Sequence, residues 1–163
     1  MGANAPLLFM DISLKKYNIT DFEFVKELYK NFKADELKFP YPRESFMEQI
    51  LESQYEAQTK YYESFGSNFV QWIIYVNTDK VGRFIEIREE NNLHLADMII
   101  RPEFRNKGIA KHILTKTIES AINNYDSITC KVDKSHTIIT YYKKLGFKII
   151  EDEGMEYLMK LNY

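Results

Sequence analysis

Apolar residues along this chain follow two rhythms, and the rhythm changes at turn-forming residues. Short stretches alternate with period two, and longer ones repeat every three or four positions. Asp11 to Asn18 reads as a first strand, with Ile12 and Leu14 alternating. Thr20-Asp21-Phe22-Glu23 has the form of a capping box and predicts a helix starting near Thr20. Phe22, Val25, Tyr29 and Phe32 then share one helical face. Pro40 and Pro42 break the stretch Ala34–Arg43 into a loop. A second helix is expected from Glu44 to Tyr61, with Phe46, Ile50 and Ala57 on its buried side and Leu51 and Tyr55 flanking. Phe69–Val76, Val81–Ile87 and Leu93–Ile100 read as a three-strand meander, turned at Asn77-Thr78-Asp79-Lys80 and at Glu90-Asn91-Asn92. A long helix follows from Lys107 to Asn123, burying Ile109, Ile113, Leu114, Thr117 and Ala121. Ser127–Val132 is a short strand, parallel to Leu93–Ile100 by the right-handed crossover rule. His136–Leu145 is a helix ended by Gly146 at C′, and Phe147–Ile150 and Tyr157–Leu161 form a final pair through Asp152-Glu153-Gly154. The pattern predicts an α/β (α+β) chain: a mixed central sheet of about seven strands flanked by about four helices.

Composition narrows the function classes. A chain of 163 residues is expected to form a single domain, 1–163. At that size it buries roughly 70% of its unfolded surface and needs no disulfide or metal staple. A net charge of −2 argues against nucleic acid as a partner. No apolar run reaches the roughly 20 residues that span a membrane, so no membrane partner is expected. Cys130 is the single cysteine and sits in an alternating apolar run. It is expected to be a small buried hydrophobe, and its isolation fits a reducing, cytoplasmic setting. Leu7-Leu8-Phe9 is too short for a signal-peptide core. Residues 1–9 differ from the rest and are expected to be a disordered extension, with Met10 a candidate start.

The chemistry concentrates after Leu93–Ile100. Pro102 stops that strand, and Arg105-Asn106-Lys107-Gly108-Ile109-Ala110 leads into the long helix. The first turn of a helix leaves about four N–H groups unpaired, at the positive end of the helix dipole. That geometry suits a pyrophosphate. Gly108 lets the backbone approach a phosphate, and Arg105 and Lys107 add charge. The loop is neither a three-glycine dinucleotide fingerprint nor a P-loop.

Two stretches carry a resemblance. Ile99-Ile100-Arg101-Pro102-Glu103-Phe104-Arg105-Asn106-Lys107-Gly108-Ile109-Ala110 resembles motif A of the GNAT superfamily of acyl-CoA-dependent N-acyltransferases. Tyr141-Tyr142-Lys143-Lys144-Leu145-Gly146-Phe147 resembles its motif B, in the right order and spacing. The element order matches the GNAT fold over nearly the whole chain. The segment Gln54-Tyr55-Glu56-Ala57-Gln58 with Tyr61-Tyr62 is similar to a bacterial branch that has no settled substrate.

The resemblance implies an N-acetyltransferase with acetyl-CoA as co-substrate, acting by direct transfer on a primary amine. It assigns the pyrophosphate to backbone N–H groups of Arg105, Asn106, Lys107, Gly108, Ile109 and Ala110. Pantetheine would lie along Leu93–Ile100 as an added strand, paired with Ile99 and Ile100. This implies a splayed parallel pair. A backbone N–H near Ile100 would hold the oxyanion, worth about 3–4 kcal/mol. Tyr142 matches the general acid, and Ser135 stands where the family often carries an asparagine that hydrogen-bonds the cofactor.

The base is read from the residues themselves. Asp97 lies mid-strand among apolar neighbours, where a carboxylate is costly unless paired and where desolvation makes it a proton acceptor. The competing reading makes it the partner of an arginine. His94 lies on the other side of the strand, and Glu36 borders the acceptor groove by resemblance. No metal is expected. The acceptor is a small-molecule or peptide amine, and the chain is a monomer or homodimer. Acids on the first two helices, Glu23 to Glu56, are candidates to steer a cationic acceptor. The alternative to catalysis is a sensor or interaction module of the same fold that holds acyl-CoA.

Overall fold

A computed structural model describes residues 9–163, so the expected N-terminal extension lies outside the described residues apart from Phe9. The elements in chain order are β1 (Ile12–Lys16), α1 (Phe22–Glu36), α2 (Ser45–Glu63), β2 (Phe69–Val76), β3 (Asp79–Arg88), β4 (Asn92–Ile100), α3 (Ile109–Ala121), β5 (Ser127–Asp133), α4 (Ile138–Lys144), β6 (Lys148–Asp152) and β7 (Glu156–Asn162). They form a seven-stranded mixed sheet in the order β1-β2-β3-β4-β5-β7-β6. Its one parallel pair is β4 with β5. No helix among the described residues is long and apolar enough to cross a membrane.

Each face of the sheet has its own core. Phe84, Leu93 and Leu95 pack with Ile109, Ile113 and Leu114 of α3 and with Tyr142 of α4. On the opposite face, Ile73 and Ile99 pack against Val25, Leu28 and Tyr29 of α1 and Tyr55 of α2. Ile85 and Ile87 pack against Tyr62. Cys130 is buried, as its alternating surroundings predict.

Two local expectations are corrected. The capping box is Asn18 with Asp21, placed two residues before the Thr20–Glu23 pattern. The Asn18 side chain accepts from Thr20 N (3.1 Å), while Asp21 Oδ2 accepts from Asn18 N (2.9 Å). Asp21 prevails because its carboxylate also meets Lys80 Nζ at 2.6 Å in a buried site. Helix α2 is rotated from its expected phase. It buries Leu51, Tyr55 and Tyr62, leaves Ala57 exposed, and leaves Phe46 and Ile50 54% and 37% exposed. The cause lies on β3. Arg83 is buried there, and Gln58 Oε1 accepts from its Nη2. A buried guanidinium needs acceptors more than the helix needs to hide Phe46.

Irregular backbone on β3 and β4 positions the site. Ile85 pairs with Asp97 and Glu86 with Leu95, so Ala96 is an extra residue, a β-bulge. The bulge resets the alternation. His94 and Asp97 therefore face the same side of the sheet, toward α2, contrary to the expectation of opposite sides. Opposite the end of β4, a Cβ on Gly82 would lie 2.3 Å from Ile99 O. Only glycine permits that approach.

Gly82→Ala is expected to lower stability by about 1–3 kcal/mol in urea denaturation, because backbone must move. Burial raises the Asp21 carboxyl, but the Lys80 ammonium and the Asn18 N–H outweigh it and leave the pKa below the ordinary value. Its contribution is then present above pH about 4 and lost as pH falls through the folded-state value. The stability gap between the parent and Asp21→Asn should accordingly be widest at neutral pH and shrink below pH about 4.

Candidate active site where two parallel strands part

The β4–β5 ladder covers only Asn92↔Ser127, Leu93↔Ile128, His94↔Thr129 and Leu95↔Cys130. Beyond it, β4 stays with β3 as far as Ile100, whereas β5 stays with β7 through Asp133↔Glu156. The strands part at bulged Ala96. A cleft of about 540 Å³ occupies the gap, with Tyr29, Phe32 and Gln58 on one face of the sheet and Leu114, Ile138 and Tyr142 on the other. It therefore passes through the sheet.

Alternation decides which backbone groups face the gap. Arg101 N donates to Val81 O (2.8 Å), and Ile99 O points at Gly82. Ile99 and Arg101 thus use their backbone groups on β3, and those of Met98 and Ile100 point into the gap. For Ile99 this departs from the expected pairing with pantetheine: its side chain is core and its backbone belongs to the β3 ladder. Ile100 O accepts from Arg105 Nε at 2.8 Å, so Arg105 clasps the following loop to the strand.

That loop begins with a single 3-10 turn, Pro102–Phe104, anchored by buried Phe104. Asn106 (φ 59°) and Gly108 (φ 83°) are both left-handed. Asparagine tolerates that region better than most residues, so Asn106 adopts it without a glycine. The first helical bond of α3 runs from His112 N to Gly108 O (2.9 Å). Among the described residues, the N–H groups of Asn106, Lys107, Gly108, Ile109, Ala110 and Lys111 meet no acceptor. Lys107 has no ion-pair partner among them either. Successive free N–H groups at a helix start form a concave anion site, and this one adjoins the mouth of the gap.

Tyr142 lines the cleft from α4 and is buried. Its hydroxyl lies against the Cys130 thiol. Burial pushes the thiol up to about 12, so it stays protonated at neutral pH. Burial likewise raises the Tyr142 phenol, and neighbouring Cys130 and Tyr141 add to the rise. The phenol therefore keeps its O–H at neutral pH. Ser135 borders the cleft, but its N–H and hydroxyl both donate to Asp133 Oδ1, the former at 2.7 Å.

Asp97 is ion-paired with Arg83. Arg83 Nε and Nη2 both donate to Oδ2, at 3.1 and 2.8 Å. Oδ1 takes no hydrogen bond among the described residues, and the side chain is 23% exposed toward the cleft. Arg83 itself is held beneath the site, its guanidinium 5.3 Å from the Tyr29 ring centroid. Glu36 borders the cleft but pairs with Lys33. His94 Nδ1 lies 2.9 Å from Thr129 Oγ1, and burial lowers its pKa. Sequence reasoning missed Arg83, which left a trace, a cation on the same strand face as Ile85 and Ile87. Gln58 and Tyr62 stood out in the sequence only through a resemblance, and their contacts depend on the phase of α2.

The family described as Acetyltransferase (GNAT) domain matches residues 28–159. No curated protein matches the chain. Among solved structures, the PaiA N-acetyltransferase from Thermoplasma acidophilum, in complex with coenzyme A, is similar at 17% identity and a TM-score of 0.70, covering 94% of this chain and 100% of that one. The ribosomal-protein-S18-alanine N-acetyltransferase from Escherichia coli is similar at 14% identity and a TM-score of 0.64, over 93% and 94% of the two chains. The spermidine/spermine N-acetyltransferase SpeG from Vibrio cholerae is similar at 14% identity and a TM-score of 0.62, over 93% and 95%. At these identities the likeness is one of fold. The family match spans both the free N–H turn and the helix of Tyr142, and on that ground the chain belongs to the GNAT acetyltransferase family.

Proposed function

We propose that this protein transfers an acetyl group from acetyl-CoA directly to a primary amine. One observation carries the reading: a run of free N–H groups at the start of α3 stands at the mouth of a gap whose β4 edge is unpaired. The diphosphate fits the turn, and the amide-bearing arm fits the unpaired edge as an added strand. A similar fold, the PaiA enzyme, was crystallised with coenzyme A, and another, from Elizabethkingia anophelis, with acetyl-CoA bound.

The chemistry follows from where the groups sit. Met98 and Ile100 offer backbone N–H groups to the thioester carbonyl, and a preorganised donor there contributes about 3–4 kcal/mol as the oxyanion forms. The amine arrives from the α1–α2 side, where Asp97 Oδ1 is its free acceptor. Arg83 holds Asp97 by Oδ2, so the carboxylate serves to hold and orient the ammonium through Oδ1. An α-amine of pKa about 8 is already partly neutral and sheds its proton through water. Tyr142 donates its O–H to the departing sulfur. A phenol pushed above its ordinary pKa is a poor full proton donor, since each unit is about 1.4 kcal/mol. Its contribution is a hydrogen bond that stabilises the thiolate until solvent protonates it. A binding-only module has no use for a free carboxylate oxygen and a phenol on opposite faces of one gap. Release of CoA in the presence of acetyl-CoA and mixed amines tests the reading, and no release with any amine would overturn it.

Gly108→Glu should weaken CoA binding about 100-fold, about 2.7 kcal/mol by calorimetry, with an unchanged circular dichroism spectrum. Unaltered affinity would remove the diphosphate from this turn. Tyr142→Phe should lower kcat about 10²-fold while leaving CoA affinity near the parent value. Unchanged turnover would make Tyr142 a core residue only.

A further inference from the structure

A second cavity, of about 380 Å³, lies on the α2 side and shares bulged Ala96 with the cleft. It is lined by Tyr61 and Tyr62 of α2, by Phe65 just past the end of that helix, and by His94 and Glu156. Tyr61 packs at 5.3 Å from both Tyr62 and Phe65, so the rings form one wall. Tyr62 is only 9% exposed, and its hydroxyl makes no hydrogen bond among the described residues. The Tyr62 ring is thus fixed by the core while the residue lines the cavity.

The polar groups of this cavity are mostly acceptors. Glu156 has no ion-pair partner among the described residues. Lys131 also lines the cavity, where its ammonium is paired with Glu153 at 2.7 Å. A chain of hydrogen bonds borders His94. Glu89 Oε2 can only accept, so the Asn92 amide turns its NH₂ group toward it (3.1 Å) and toward Thr129 Oγ1 (2.9 Å). Ser127 donates to Asn92 Oδ1 (2.9 Å). Thr129 Oγ1 is 2.9 Å from His94 Nδ1, within reach to donate its hydrogen there. Burial lowers the His94 pKa and so favours the neutral imidazole, which does not repel a cation. Three aromatic rings, an unpaired carboxylate and a phenolic oxygen together favour positive charge.

We infer that this aromatic cavity is a specificity pocket for the acceptor, and that the acceptor is an amine carrying a second, non-reacting cationic group. This rests on the acetyl-transfer reading proposed above. The reacting amine would sit at Asp97 Oδ1 and the second cation would lie among Tyr61, Tyr62 and Glu156, one bulge residue away. Direct transfer forms one amide, releases CoA and leaves the second cation unchanged.

Steady-state acetylation of linear α,ω-diamines, of n-alkylamines of equal length, and of the same diamines with one end trimethylated tests this. Diamines should exceed matched monoamines in kcat/KM about tenfold, and the trimethylated compounds should keep that advantage because ring faces do not require N–H. Glu156→Gln and Tyr61→Leu, both at exposed positions and therefore expected to fold, should each pull the diamine-to-monoamine ratio toward one. Equal rates for diamines and monoamines would overturn the second-cation inference and leave acetyl transfer standing. So would a preference that survives both substitutions, or a greater preference for uncharged arylalkylamines. Failure to acetylate any amine would instead overturn the reading beneath it.

Discussion

The separation of β4 from β5 is the constraint on which the rest of the molecule depends. Parallel strands left alone would zip along their whole length, because each unpaired buried amide costs free energy. Here the zipper stops at Leu95↔Cys130. The bulge at Ala96 bends β4 away, while β7 holds β5 on its own course. The bare edge of β4 is a donor and acceptor row awaiting a third strand, and an amide-rich ligand can supply one.

Below that edge lies the least ordinary energetic feature of the fold, a guanidinium with its side chain 2% exposed. Arg83 is satisfied by Asp97, Gln58 and the Tyr29 ring. A buried pair of this kind is weak evidence for stability, since an apolar replacement is often neutral or better. Its value here is geometric. It rotates α2 so that Gln58 and Tyr62 face inward, and it grips one oxygen of Asp97 while leaving the other to the cleft. The two faces of the gap thus differ in chemistry. One presents a carboxylate and aromatic rings, and the other presents a phenol.

The turn before α3, proposed to hold the diphosphate, works by a different logic. It presents main-chain N–H donors, displayed because Asn106 and Gly108 are left-handed and because Arg105 ties the loop back to Ile100 O. Side-chain charge is secondary there.

The chain's own letters determined the elements, their order, the parallel crossover, the glycine turn and the burial of Cys130, because these depend on local periodicity and turn chemistry. They also placed Tyr142 on a helix that follows β5. Tertiary structure alone decided the phase of α2, the location of the first cap and the facing of His94 with Asp97. Each of these hangs on a contact between distant residues: Arg83 with Gln58, Lys80 with Asp21, and a β3–β4 register broken by one extra residue. Hydrophobic period cannot register a single inserted residue in a strand or a buried charge seeking an acceptor, and those two features set which side chains meet in the gap.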